Sequence, residues 1–384
     1  MINVLRAKPE LFQNDVVRGN DFWHVYNSIP KKENEDINNM KFKAIVGNPP
    51  YQINKATENS TTNSAFASAI YPTFIEAACQ INPNYVSLIT PSRWLTKTGQ
   101  GLSLEWVDKM LNCNHFISIH DFANATDCFE HVEIKGGVNY FLYSPLYNNK
   151  CNYVKHEGTS KYSHSAYLNE KGLGIVIRDV NAIDILDKVI NVEGNFYKVN
   201  SFASLVSPQH FFDKNGLLTT SWKGYSTFNN EEYNVRYYLN KTLEKSGVAW
   251  IKLSDIPKNQ QVLPLHKIYI PKVGGSGNDP MVLGRPFYGE PNSVCSQTYL
   301  VIGYNEQEPL TKIECANIIK YIKTRFFRYL VSIKKKTQDN PSSVFQFVPL
   351  QDFSRPWTDA DLYAKYNLTN DEIAYIEQLI KPMD

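Results

Sequence analysis

The chain has 384 residues, 42% hydrophobic and 20% charged, with a formal net charge of +2. That balance excludes a disordered chain and an overall polycation, and the length leaves room for two domains. With no apolar run long enough for a bilayer, no signal-peptide core in Met1-Ile2-Asn3-Val4-Leu5-Arg6, and six cysteines outside any CxxC or Cys/His cluster, the expectation is a cytoplasmic protein with reduced thiols, no membrane partner and no metal site.

In chain order, Asp15-Val16-Val17-Arg18 reads as a short strand entering Gly19-Asn20-Asp21-Phe22. Lys43-Ala44-Ile45-Val46-Gly47 is an apolar, β-branched run that reads as a buried strand. Asn48-Pro49-Pro50-Tyr51 comes directly after it. Two successive prolines donate no backbone N–H, so they end the strand and stiffen the turn after it. The product is a rigid, donor-poor turn at a strand's carboxyl end, where open α/β sheets bind ligands. The Asn48 amide oxygen and nearby carbonyls form an acceptor cluster beside the Tyr51 ring. An exocyclic amino group needs that arrangement to be held, polarised and methylated. An isolated Asn-Pro-Pro is more often a plain turn; the strand before it and the motifs after it weigh the other way.

A helical stretch spans 65–80, with Pro72 either kinking it or opening its second half. Tyr85-Val86-Ser87-Leu88-Ile89-Thr90 is a strand closed by Pro91, and 102–111 reads as a helix with Leu104, Val107 and Leu111 on one face. Two further strands, 115–122 and 137–143, flank a loop through Asp127-Cys128-Phe129. Such alternation predicts an α/β sheet of mostly parallel order, the last two strands forming an antiparallel edge. Between 151 and 172 apolar periodicity fades and a linker is expected. Beyond it, a long helix starts at Lys312 and carries Ile319, Ile322, Phe326, Leu330 and Ile333 at helical spacing. Thr369-Asn370-Asp371-Glu372 is a capping box opening a last helix.

Residues 15–145 resemble the second half of the catalytic domain of gamma-class adenine-N6 DNA methyltransferases, the TaqI-like and bifunctional restriction–modification methylases. The likeness rests on Asn48-Pro49-Pro50-Tyr51 after its strand, on Pro91-Ser92-Arg93-Trp94, and on the run from Asp127 to Val138. Lys267-Ile268-Tyr269-Ile270-Pro271-Lys272, Thr324-Arg325-Phe326-Phe327-Arg328 and Phe347-Val348-Pro349-Leu350-Gln351-Asp352-Phe353 look like the family's C-terminal specificity region. The resemblance implies a Rossmann-like methyltransferase half-domain over 1–150, the linker at 151–172, and an α+β target-recognition domain over 173–384. It implies transfer of a methyl group from S-adenosylmethionine to a flipped adenine in double-stranded DNA. Asn48, Pro49, Pro50 and Tyr51 would be catalytic, Tyr51 and Phe129 would stack on the base, and Asp21 would contact the cofactor. Phe129 as a core aromatic and Asp21 as a turn residue are the plainer readings of those two positions.

Lys312, Lys320, Lys323, Arg325, Arg328, Lys334, Lys335 and Lys336 stand against one acid, Glu314, between 312 and 336. Most such runs are solvated faces; within a specificity domain, Lys334-Lys335-Lys336 is the candidate phosphate contact. The chain departs from the family in one respect. Only 47 residues precede Asn48, and they hold no Gly-rich FxGxG-like loop and no room for two βα units. The expectation is therefore an incomplete sheet with an exposed edge, weak cofactor binding by the chain alone, and a need for an N-terminal methyltransferase polypeptide. Two rival readings stay open: a non-catalytic specificity subunit or inactive fragment, and part of a bifunctional restriction enzyme. No PD-(D/E)xK pattern stands near a strand.

Overall fold

The computed structural model describes residues 2–3, 42–54, 67–97, 101–240, 247–275, 279–335 and 337–383. Asp21, the strand read at 15–18 and Lys336 lie outside them. The chain divides into two compact units, Met1–Val180 and Asn181–Asp384. Among the described residues no helix is long and apolar enough to cross a membrane.

The first unit contains β1 (Ile2–Asn3), β2 (Ala44–Gly47), β3 (Gln52–Asn54), β4 (Ala67–Ala69), α1 (Tyr71–Gln80), β5 (Tyr85–Pro91), α2 (Leu104–Asn112), β6 (Phe116–Phe122), β7 (Val138–Tyr143), β8 (Cys151–Glu157) and β9 (Ser160–Ala166). One sheet runs in the order β1-β2-β5-β7-β6-β8-β9, and β3 pairs only with β4. The α/β reading holds. Its mostly parallel order does not: β2/β5 and β6/β8 are parallel, but β5/β7, β6/β7 and β8/β9 are antiparallel. β7 is not an edge either. The crossover through α2 leaves one place open between β5 and β6, and the chain turns back from β6 to fill it.

Local signals explain most boundaries. Pro72 sits in the first turn of α1, where its missing N–H costs nothing, so it opens a helix instead of kinking one. Ser103 caps α2 by accepting from the Trp106 N–H at 3.3 Å. Tyr71, Ile75 and Ala78 of α1 and Trp106, Val107, Met110 and Leu111 of α2 are buried against Val86, Leu88, Ile119 and Phe141 of the sheet. Trp94, fully buried, meets Trp106 edge-on at 6.0 Å. Each such side chain contributes about 1.5–3 kcal/mol.

Residues 151–166, where composition suggested a linker, form a strand pair. β8 pairs in parallel with β6 from Asn152 to His156, and β9 returns along β8 from Ser160 to Ala166. Cys151, Tyr153 and Val154 are buried while β9 is largely exposed, which thins the apolar pattern of an outer strand.

The second unit has α3 (Val180–Glu193), α4 (Phe196–Val199), β10 (Val235–Tyr238), β11 (Val248–Ile251), β12 (Lys267–Pro271), β13 (Phe287–Gly289), β14 (Ser293–Cys295), β15 (Tyr299–Ile302), α5 (Lys312–Lys323), α6 (Arg325–Lys334), α7 (Asp359–Lys365) and α8 (Asn370–Leu379). Its strands form two three-stranded sheets, β11-β10-β14 and β13-β12-β15. The single long helix expected from Lys312 is two. Thr324 is extended (φ −61°, ψ 149°), its hydroxyl accepts from the Phe327 N–H, and Asp359 takes the Arg325 and Phe326 N–H groups at 3.0 and 2.9 Å. A carboxylate on those free donors favours a new helix start over continuation.

The same region corrects the phosphate-contact reading of Lys334 and Lys335. Both are buried: the Lys334 ammonium donates to the Gln346 side chain and the Lys335 ammonium to the Val282 carbonyl. The run has helical spacing, so part of it turns inward with the apolar face. Burial holds the Lys335 pKa down to about 8, from 10.5, and does the same to Lys267. Between pH 8 and 10.5 the unfolded chain binds the extra proton, so these two groups make stability rise with pH across that window. Lys335→Met is expected to remove up to about 3 kcal/mol of that rise. Urea unfolding of both proteins at the two ends of the window reads it; a variant with the wild-type slope would refute the assignment.

Candidate active site

β2 delivers Asn48 at the end of a parallel strand pair, with Gly47 in register with Leu88 of β5. The turn is tied down on its far side, where the Tyr51 carbonyl accepts from the Ile70 N–H at 3.1 Å, just before α1. Gln52 to Asn54 then pair with Ala67 to Ala69. The Asn48 Oδ1 and Tyr51 hydroxyl are both shielded from solvent. Burial first, and then the neighbouring Cys128 thiol, push the Tyr51 phenol up to about 12, against a hydrogen bond from the Asn48 side chain. The four residues thus form one constrained group, and Cys128 belongs to its surroundings.

Cys128 and Phe129 lie on the loop 123–137 between β6 and β7. Asn124 caps a short turn over Ala125–Asp127 by accepting from the Thr126 N–H, and the Ala125 carbonyl accepts from the Phe129 N–H at 2.9 Å. Phe129 is half-buried and packs, with Cys128, Ile134 and Tyr140, on Phe122, Ala125 and Val138. The ring is therefore part of a small cluster under the loop, on a segment adjoining Tyr51. The loop returns through Gly136 (φ +91°) and Gly137 (φ +81°). A Cβ at Gly137 would stand 2.1 Å from the Phe122 carbonyl oxygen, so only glycine fits.

Beneath the loop runs a buried polar network. Asp121, fully buried on β6, accepts from the Ser92 hydroxyl (2.6 Å), the Tyr153 hydroxyl (2.5 Å), and Nε and Nη2 of Arg178 (2.6 Å for Nη2). Asn139 donates to the Thr90 carbonyl at 3.2 Å and to the Ser92 hydroxyl at 3.3 Å. Of these residues the sequence reading named only Thr90, as a strand residue, and Ser92, as part of a motif, both without a role. An acid within the apolar run Phe116–Phe122 is the available signal, since a buried carboxylate requires a cationic or hydrogen-bonding partner. Nothing in linear order pairs it with Arg178, 57 residues on.

The structure holds Asn48, Pro49, Pro50 and Tyr51 in one turn and sets Cys128, next to Phe129, within electrostatic reach of Tyr51, while Phe129 itself packs on Phe122, Ala125 and Val138. It does not bring Lys334 or Lys335 to a surface.

Residues 2–129 match the Eco57I restriction-modification methylase family. An uncharacterized adenine-specific methylase of Mycoplasma pneumoniae is 34% identical over 111 residues, which are 29% of this chain and 25% of that protein. The type IIL restriction-modification enzyme MmeI, solved in complex with DNA, is similar over 91% of this chain and 55% of its own, at 9% identity and a TM-score of 0.43. The type IIG restriction endonuclease BpuSI is similar over 89% of this chain and 50% of its own, at 11% identity and a TM-score of 0.34. The chain thus spans a quarter of the curated relative and about half of each solved enzyme. The match to the Eco57I restriction-modification methylase family covers residues 2–129 and includes Asn48-Pro49-Pro50-Tyr51.

Proposed function

We propose that the chain is a site-specific DNA adenine-N6 methyltransferase of a restriction–modification system, acting on an adenine drawn out of the duplex. The observation that carries this reading is the shielded Asn48–Tyr51 turn at the carboxyl end of β2, with the Cys128–Phe129 loop beside it. Adenine N6 is a poor nucleophile because its lone pair is delocalised into the ring. Acceptance of its two N–H bonds by the Asn48 side-chain oxygen and the Pro49 carbonyl localises that pair and aims it. The contribution of these residues is positioning and charge placement, with no covalent nucleophile.

The donor set suits S-adenosylmethionine, since Pro49 and Pro50 offer oxygen and no N–H where a positively charged sulfur must approach. Bound there, the cofactor supplies an electrophilic methyl group. Asp21 is the proposed ligand on its adenosine side. Tyr51 and Phe129 grip the flipped base from opposite faces, and the second unit reads the DNA sequence. An N-terminal methyltransferase polypeptide is the proposed partner. Among the described residues β1 pairs with the outer edge of β2 at only two positions, and Val46 there is 40% exposed, which supports further strand pairing.

Incubating the full chain with duplex DNA and methyl-labelled S-adenosylmethionine is expected to yield N6-methyladenine when that polypeptide is supplied, and little or none when the chain is alone. Bound but unmethylated DNA under both conditions would turn the reading to a specificity subunit. Phe129→Ala is expected to weaken capture of the flipped base by about 1–3 kcal/mol. Loss of 2-aminopurine fluorescence at the target reads it; an unchanged signal would return Phe129 to its packing cluster alone.

A further inference from the structure

Three consecutive carbonyls at the return of the loop 123–137 are each held by a donor from elsewhere in the first unit. Arg93 Nε donates to the Lys135 carbonyl at 2.6 Å, Arg178 Nη1 to the Gly136 carbonyl at 3.0 Å, and the Ser92 N–H to the Gly137 carbonyl at 3.0 Å. The start of the loop is held by the same groups. Asp121 stands one residue before Phe122, the last residue of β6, and binds both Ser92 and Arg178. Arg178 is 8% exposed and uses all three of its nitrogens here, two on the carboxylate and one on the loop. A pair serving only to neutralise Asp121 would need the first two. The third fixes the peptide of a glycine at φ +91°, a residue with more backbone freedom to lose than any other.

We infer that Arg178 is a positioning residue: the Phe122–Val138 pairing closes the stem of the loop 123–137, and Arg178 fixes the peptide of its return at Gly136 against Asp121, so setting where Cys128 and Phe129 stand relative to the Asn48–Tyr51 turn. Its consequence for base capture rests on the methyltransferase reading; the clamp itself does not. Guanidinium geometry is what the role requires, because a planar fork spans the carboxylate and the Gly136 carbonyl together and a single ammonium does not.

The test uses the full chain with Arg178→Met and Arg178→Lys. Iodoacetamide labelling of each cysteine is followed by mass spectrometry, Cys113 and Cys151 of the same unit serving as references. Cys128 is expected to label about tenfold faster in Arg178→Met and several-fold faster in Arg178→Lys, with the references unchanged. Arg178→Lys keeps a cation beside Asp121, so it decides the matter if Arg178→Met fails to fold. Unchanged Cys128 labelling in Arg178→Lys overturns the clamp. So does acceleration at all three cysteines together, which marks a general prop of the unit. On DNA with 2-aminopurine at the target, Arg178→Lys should lose fluorescence enhancement at undiminished DNA affinity. A wild-type chain without enhancement, alone or with its N-terminal partner, would undo the base-binding reading while the labelling result still decides the clamp.

Discussion

Asn48→Ala is expected to cut methyl transfer by about two to three orders of magnitude while DNA affinity holds, the scale seen when one preorganised polar group is removed from a reacting centre. The side chain contributes most where N6 takes on positive character, and alanine leaves nothing in its place to accept the N–H. The Pro49-Pro50 turn keeps its shape without it, because the prolines fix their own φ and Tyr51 remains tied to Ile70. Single-turnover transfer of labelled methyl, measured beside DNA affinity under conditions where the wild type is active, separates the chemical step from binding. Turnover near that of the wild type would remove Asn48 from the chemistry and with it the proposed function.

Asp121→Ala is expected to cost the first unit about 3–5 kcal/mol, since it leaves a buried guanidinium without its carboxylate and strands the hydroxyls of Ser92 and Tyr153. The exposed pair Lys97–Asp108 is the contrast: Asp108 is half in solvent, and Asp108→Ala should change stability by no more than about 1 kcal/mol. Because the chain has two compact units, a global melt mixes them. Hydrogen exchange of the β5, β6 and β7 amides reads the affected unit by itself, and equal losses for the two variants would refute the account of the network.

What linear order made legible was the local part. The Asn48 turn, the strands around it and the capping box at Thr369 depend on neighbours within four residues and appear where their chemistry placed them. The insertion of β7 between β5 and β6 does not depend on neighbours: central and edge placements both satisfy the same alternation along Val138–Tyr143. The break at Thr324 draws on Asp359, which accepts from the Arg325 and Phe326 N–H groups across 34 and 33 residues. Lys334 and Lys335 show the same limit, because charge was read by residue type while burial was set by how the last turn of α6 and its extended C-cap pack. The Asp121–Arg178 network is the largest omission, and it is entirely non-local.

The fastened stem of the loop 123–137 also bears on how such a chain can change. The Phe122–Val138 pairing, with Asp121, Ser92, Arg93 and Arg178 fastening the return, holds its two feet together whatever lies between them. The cost of closing a flexible segment grows slowly, by about 0.6 kcal/mol for each doubling of length. Residues 130–133 at its crest are exposed and contribute little to packing. The stem therefore acts as a socket: crests of other lengths and compositions can be exchanged on it without remaking β6 or β7, and the surroundings of the Asn48 turn can be retuned independently of the sheet that supports them.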